Sequence, residues 1–426
     1  MLTEAYARRV IDVELDELVR SISALAIEGA KGVGKTATAS QRAKTVRALD
    51  DPTQRAVARA DPARSIEGAP PILLDEWQYL PEAWDLVRRA VDAGAEPGRF
   101  LLTGSSQPVE RGSHSGAARI VSLRMRPLAL SERGLEPPTV SLAELLGGQR
   151  ANITGTSSLV LTDYVQEILA SGFPGLRRLT GRALRLQLDG YLHRIVDRDF
   201  QELGYNVRNP TALRRWMTAY AAASSTTASF DTIRDAATAG DNDKPARTTI
   251  APYRDVLERL WILDPVEAWL PTRNRISRLS SPPKHQLADP ALAARLLGVD
   301  ADALLEGRPP ASPLPRDGTL LGALFESLVT LSVRTYAQAS EATVKHLRTI
   351  GGKHEVDLIV ERADGRVVAI EIKLTRNVRD RDTSQLHWLA DRIGDDLLDA
   401  VLVTTGPEAY RREDGIAVVP AALLGP

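Results

Sequence analysis

The segment Gly29-Ala-Lys-Gly32-Val-Gly34-Lys35-Thr36 constrains this chain more than any other feature. It fits G-x-x-x-x-G-K-[ST], follows the apolar run Ala24-Leu-Ala-Ile-Glu28 and precedes a helix-length stretch, the strand–loop–helix setting that the motif requires. Gly29, Gly32 and Gly34 let successive backbone N–H groups curl into an anion nest at a helix N-terminus, where the helix dipole also favours phosphate. Lys35 is then expected to reach the β- and γ-phosphates of a bound nucleotide, and Thr36 to offer its hydroxyl to magnesium. Such a loop presupposes a parallel sheet whose strands end beside it.

The rest of residues 1–150 meets that demand. Ile72-Leu-Leu-Asp75, Phe100-Leu-Leu-Thr103 and Ile120-Val-Ser-Leu123 are compact apolar runs separated by helix-length segments, which predicts buried parallel strands covered by helices. Pro71-Ile-Leu-Leu-Asp75-Glu76 has the form of a Walker B strand. There Asp75 holds magnesium through water, and Glu76 orients and deprotonates the attacking water. The strand Phe100–Thr103 runs into Gly104-Ser105-Ser106; Ser105 is a candidate sensor of the γ-phosphate, with a strand-to-turn cap as the plainer alternative. Of Arg119, Arg124 and Arg126, Arg119 is the candidate arginine finger, against the plainer expectation of a solvated arginine on an edge strand.

Composition closes off other chemistries. At about 150 residues per domain, 426 residues give two to three domains. The absence of cysteine excludes disulfides, thiolate nucleophiles, thiolate zinc sites and iron–sulfur clusters, so any metal must be held by oxygen or imidazole. The six histidines are scattered, without the i, i+4 pair of a zincin. Lysine plus arginine (54) nearly cancels aspartate plus glutamate (55), so nucleic acid can be attracted only by a local patch. The acidic start of the chain and the lack of a membrane-length apolar run lead to the expectation of a soluble, cytoplasmic protein.

Beyond residue 160 the texture changes. Leu184, Leu188, Leu192, Ile195 and Val196 are spaced as on a helix, and residues 160–315 read as a mostly helical, winged-helix-like domain ending in the proline-rich stretch 309–318. Phe230–Ala237 and Thr248–Leu260 resemble the two helices of a helix-turn-helix, with Arg247, Thr249 and Arg254 as candidate DNA contacts. The long connection with Asp241 and Asp243 favours packing or an interdomain lever instead. Residues 316–426 read as a small α/β domain: a helix from Leu320, an apolar hairpin from Val356 to Leu374, a helix near 383–393 and a strand Ala400–Thr404. Asp357, Glu371 and Lys373 stand as D…E-x-K, the pattern in which two acids bind magnesium and a lysine steadies water or phosphate. A three-residue loop Ala363-Asp364-Gly365 with Gly365 at positive φ pairs Asp357 with Glu371, Leu358 with Ile370 and Val360 with Val368. The alternative is a degenerate site whose acids only pair with Lys373 or Arg379.

GAKGVGKT, ILLDEWQYLP, FLLTGSS, Ser115–Arg119, Arg126–Glu132, the RVID segment at 9–12, LHRIVDRD at 192–199, GGKHEVDLIV and VAIEIKL together resemble the prokaryotic AAA-type ATPases that carry a C-terminal restriction-endonuclease-like domain of unknown function. The resemblance covers nearly the whole chain. It implies a P-loop NTPase sheet in 1–150, the helical domain in 160–315 and a restriction-endonuclease-like α/β domain in 316–426. It also implies ATP binding through Gly34, Lys35, Thr36, Asp75 and Glu76, and Glu326 as a third metal ligand beside Asp357 and Glu371. Ala118 departs from the pattern, which has glycine before the arginine at 119. The expected function is a magnesium-dependent ATPase coupling nucleotide state to a nuclease-like domain that acts on DNA. The alternative is an ATP-dependent switch for a protein partner, its nuclease-like part an inactive scaffold. Either is compatible with a homo-oligomer, and neither calls for a membrane.

Overall fold

The computed structural model describes residues 6–106, 118–150, 152–238, 247–271, 282–306 and 319–426. The chain divides into two compact units, Met1–Pro127 with Leu257–Trp261, and Leu128–Val256 with Ile262–Pro426.

In the first unit β1 (Ala24–Glu28), β2 (Thr45–Ala48), β3 (Ile72–Asp75), β4 (Phe100–Gly104) and β5 (Val121–Arg124) form one parallel sheet in the order β2-β3-β4-β1-β5. The three apolar runs at β1, β3 and β4 are wholly buried, as strands covered on both faces must be. β2 is the strand that apolar runs do not reveal: Thr-Val-Arg-Ala lies at the sheet edge and is only half-buried. Helices α1 (Ile11–Leu18), α2 (Lys35–Ser40), α3 (Pro52–Ala60) and α4 (Glu82–Asp92) connect and cover the strands. On one face Ile72, Leu74, Phe100 and Leu102 pack with Trp77, Trp84 and Val87, the two indole rings 4.6 Å apart. Register places Glu28 level with Gly104 and with Arg124, and Ala48 level with Asp75. The C-terminal ends of all five strands therefore share one sheet edge, the edge from which the loop at 29–34 departs.

The second unit holds a seven-stranded sheet in the order β7-β12-β13-β11-β10-β9-β8, built from β7 (Gly155–Thr156), β8 (Thr343–Arg348), β9 (Glu355–Glu361), β10 (Val367–Ile372), β11 (Leu397–Thr404), β12 (Glu408–Arg411) and β13 (Ala417–Pro420). The β9–β10 hairpin pairs Leu358 with Ile370 and Val360 with Val368, and Gly365 takes φ +86° in a loop closed by the Arg362 N–H on the Arg366 carbonyl at 2.9 Å. That is the register which one apolar face demanded. A short parallel pair, β6 (Val140–Ser141) with β14 (Leu424–Gly425), joins the unit's two ends. The backbone N–H groups of Leu130 and Ser131 donate to the Ser332 and Tyr336 hydroxyls, each at 3.0 Å. Residues 128–150, expected with the first domain, accordingly belong to the second unit.

The middle region is helical where the apolar spacing asks for it: Leu161–Leu169, Gly181–Arg194, Pro210–Ala222, Phe230–Ala237 and Arg247–Arg259. Antiparallel bridges Leu263–Leu287 and Val266–Lys284 follow. Arg254 lies over the Phe230 ring at 4.9 Å and pairs with Asp255 at 3.2 Å. Asp241, Asp243, the side chains of Arg247 and Thr249, and the stretch 309–318 lie outside the described residues. No helix among the described residues is long and apolar enough to cross a membrane.

Asp289 ties this region together. Fully buried, it accepts the Gly172 N–H at 2.6 Å and the Ser171 hydroxyl at 3.1 Å on one oxygen, and caps the helix Pro290–Leu297 through the Ala291 N–H at 2.8 Å on the other. Asp289→Ala removes a cap and strands buried donors, for an expected loss of about 2–4 kcal/mol. Urea unfolding followed by a probe in the second unit should show a lower midpoint with unchanged slope, and a loss under about 0.5 kcal/mol would contradict the assignment.

Candidate functional site

The loop after β1 is shaped by its glycines. Gly32 and Gly34 stand at φ +85° and +102°, a region costly for other residues, and α2 begins directly after Gly34 with no side chain capping its N-terminal N–H groups. Gly29 is required for a different reason: a Cβ there would lie 2.2 Å from the Met125 carbonyl oxygen. Arg9, from the RVID segment, braces the loop by donating to the Val33 carbonyl at 2.9 Å and to the Arg126 carbonyl at 2.9 Å.

Lys35 is 4% exposed, and its ammonium donates to the Gly29 and Ala30 carbonyls at 2.8 and 3.0 Å. Burial lowers its pKa to about 8, against the pull of Glu76 and Asp75. Two neutral carbonyls are a weak counterpart for a buried charge, so a phosphate oxygen arriving in this loop meets a cation that gains by exchanging partners.

The acids of β3 converge on the same place. Thr36 Oγ1 donates to Asp75 Oδ1 at 2.7 Å, and Thr103 Oγ1 donates to the same oxygen. Glu76 leaves the strand at φ +53°, a left-handed conformation for a non-glycine residue, with its N–H on Thr103 Oγ1 at 3.1 Å. Its carboxylate is gripped: Ser105 Oγ donates to Glu76 Oε2 at 2.9 Å, and the Gln78 amide donates to that oxygen and, at 3.0 Å, to Ser105 Oγ. Ser105 thus does more than cap a turn, and Gln78 is a site residue the sequence did not single out. For magnesium the donor set fits: one buried carboxylate beside one hydroxyl, oxygen only, is what a magnesium ion shared with a nucleotide needs.

Arg119 is elsewhere. It precedes β5 and pairs with Asp92 at the end of α4 at 2.8 Å. That end is followed by Ala95, whose carbonyl accepts the hydroxyl of Ser23, the residue before β1. Arg119 therefore lies at the N-terminal edge of the sheet, roughly 15 Å from the loop at about 3.3 Å per strand residue. Arg119, the candidate finger, is thus not brought together with Lys35, Thr36, Asp75 and Glu76. Ala118 stands at φ +62°, which is why the pattern has glycine there. The arginine at the right edge is Arg124, which ends β5 level with Glu28, lies 3.7 Å over the Trp261 ring and adds to the positive potential at Lys35.

The C-terminal acids are brought together, but around a lysine. Lys284, fully buried, lies 2.9 Å from Glu326, 3.2 Å from Glu355 and 3.2 Å from Asp357. Burial opposes its charge, yet Glu326, Asp357 and Glu355 outweigh that and raise its pKa well above the ordinary lysine value. Asp357 also accepts the Ile372 N–H at 2.9 Å, and Glu371 pairs with Lys373 at 2.6 Å. Glu371, buried beside Asp357, is pushed up to about 8. The expected metal ligands Glu326, Asp357 and Glu371 do not fit a metal in this arrangement, because an ammonium already stands among the carboxylates. Among the described residues, no group of three or more histidines and acids is arranged to hold a metal ion.

Comparison with known proteins agrees with the first unit's geometry. Residues 21–133 match the family model described as AAA domain. Motif, sheet and family match together support a P-loop ATPase family. Residues 161–303 and 321–424 match two domains of unknown function, DUF8612 and DUF4143. The chain is 26% identical over 366 residues to the uncharacterized proteins Rv2008c of Mycobacterium tuberculosis and Mb2031c of Mycobacterium bovis, covering 85% of this chain and 71% of each relative. Among solved structures, the Walker-type ATPase PABY2304 of Pyrococcus abyssi aligns over 69% of this chain and 97% of its own at 15% identity, with a TM-score of 0.40.

Two substitutions separate the loop's shape from its charge. Gly29→Ala forces backbone apart and is expected to lower the stability of the nucleotide-free protein by about 1–3 kcal/mol. Lys35→Met removes a buried charge hydrogen-bonded to carbonyls and should melt no lower than wild type, in keeping with a site tuned for function at the expense of stability. Thermal unfolding without nucleotide distinguishes them; a lower midpoint for Lys35→Met would contradict this account of the lysine.

Proposed function

We propose that the chain is a magnesium-dependent ATP hydrolase whose nucleotide sits in the loop 29–36. The observation that carries this reading is the convergence of Lys35, Thr36, Asp75 and Glu76 on one sheet edge, with the Lys35 ammonium hydrogen-bonded to two loop carbonyls. Backbone N–H groups around Gly32 and Gly34 cradle the phosphates, and Lys35 moves from the Gly29 and Ala30 carbonyls to phosphate oxygen. Magnesium, held near Thr36 and Asp75, supplies neutralisation of phosphate charge when bound. Glu76 accepts the proton of the attacking water. Ser105 and Gln78 hold that carboxylate in place, so a phosphate group that draws Ser105 away also redirects the base. Arg124, at the end of β5, is the cationic side chain this reading assigns to charge developing on the phosphate.

A second component of the proposal concerns the output. Lys284 among Glu326, Glu355 and Asp357 favours a C-terminal domain that serves as a scaffold responding to nucleotide state over one that cleaves nucleic acid as folded. Protein or DNA partners would engage such a scaffold without being cut.

The test is steady-state turnover with parallel ATP-binding titrations. Glu76→Gln should lose at least about 100-fold in kcat while ATP affinity stays within threefold, and Lys35→Ala should lose both. Turnover of Glu76→Gln within tenfold of wild type would overturn the role given to Glu76.

A further inference from the structure

The carboxylate cluster of the second unit has a charge balance that points to a specific occupant. Four acids face one another across β9, β10 and the helix Leu320–Ala339: Glu355 and Asp357 on one strand, Glu371 on the next, Glu326 on the helix. Three cationic side chains answer them, Lys284 on Glu326, Glu355 and Asp357, Arg348 on Glu355 at 2.9 Å, and Lys373 on Glu371. Glu371 is 5% exposed, and among the described residues its Oε2 has no hydrogen-bond partner. A buried carboxyl oxygen with no donor is costly to keep, and a nearby positive charge would offset that cost.

Lys284 does not belong to the strands or the helix that carry the acids. It comes from the bridged segment beside Val266, exchanging both backbone bonds with that residue at 2.8 and 2.9 Å, and it is 42 residues before Glu326 and 73 before Asp357. Four acids stand against three cationic side chains with Lys284 present and against two without it. Every donor then left is a carboxyl oxygen. Oxygen-only donor sets select hard cations such as magnesium, manganese and calcium.

We propose that Lys284 is the resident cation of this cluster: its ammonium takes the place of a divalent metal, closes the cluster to metal as folded, and is the single charge whose loss converts the cluster into a divalent-cation site. This rests on nothing in the nucleotide chemistry of the first unit. As folded, the cluster does no metal-dependent work on phosphodiesters.

The experiment titrates the full chain with manganese chloride, without nucleotide, following free ion by electron paramagnetic resonance and unfolding temperature in parallel. Wild type, Asp357→Asn and Lys284→Arg should show no ion that depends on Asp357. Lys284→Ala should bind one manganese ion per chain at least tenfold more tightly than wild type, and Lys284→Ala combined with Asp357→Asn should lose it. An Asp357-dependent ion in the wild type would overturn the proposal, as would a folded Lys284→Ala binding no better than wild type. If Lys284→Ala does not fold alone, manganese should restore its unfolding transition, and failure to restore it overturns the proposal equally.

Discussion

Taking an ammonium out of water is costly unless its new surroundings return the interaction that water gave, and this chain does it twice, with opposite settlements. Lys35 is buried against two carbonyls, which leaves its charge under-compensated and its pKa lowered to about 8. Lys284 is buried against three carboxylates, which holds its charge firmly. The first lysine stands ready for an anion from outside, and the second is already satisfied by the protein. That difference separates a site built to bind and release a ligand from one whose ionic partner is part of the fold.

The edge on which Lys35 works follows from sheet order. A parallel sheet with β1 between β4 and β5 brings the loop after β1 beside the ends of its two neighbours and one strand away from β3. Asp75 and Glu76 arrive from β3, Thr103 and Ser105 from β4, and Arg124 from β5. No side chain needs an unusual reach; the strain is concentrated in the backbone, at Glu76 with φ +53° and in the glycines at positive φ. The same geometry sets Arg119 apart from that edge, because the start of a strand lies a strand's length from its end.

Much of this was legible from residues alone. A glycine-rich loop between an apolar run and a helix, an apolar run ending in Asp-Glu, and a run ending in Thr-Gly-Ser-Ser carry their strand and their chemistry within a few neighbouring positions. The β9–β10 register was equally readable, since only one pairing leaves an apolar face unbroken. What local pattern does not carry is long-range contact. Gln78 looks like a surface residue of a short turn until Glu76 and Ser105 close around it, and β2 is too polar to announce itself. Lys284 lies in Pro-Pro-Lys-His, with nothing nearby to mark it as the partner of acids dozens of residues later. Acids at the right spacing, as at Glu326, Asp357 and Glu371, reveal where charge gathers without revealing which cation answers it, here the Lys284 ammonium.

The most direct test of the central claim, that the buried Lys35 ammonium waits for phosphate, is a crystal structure of the full chain with magnesium and a non-hydrolysable ATP analogue. The account predicts triphosphate in the loop 29–36, with the Lys35 ammonium moved from the Gly29 and Ala30 carbonyls onto phosphate oxygen and the Thr36 hydroxyl moved off Asp75. Triphosphate bound elsewhere, or bound here with Lys35 still on its carbonyls, would contradict it.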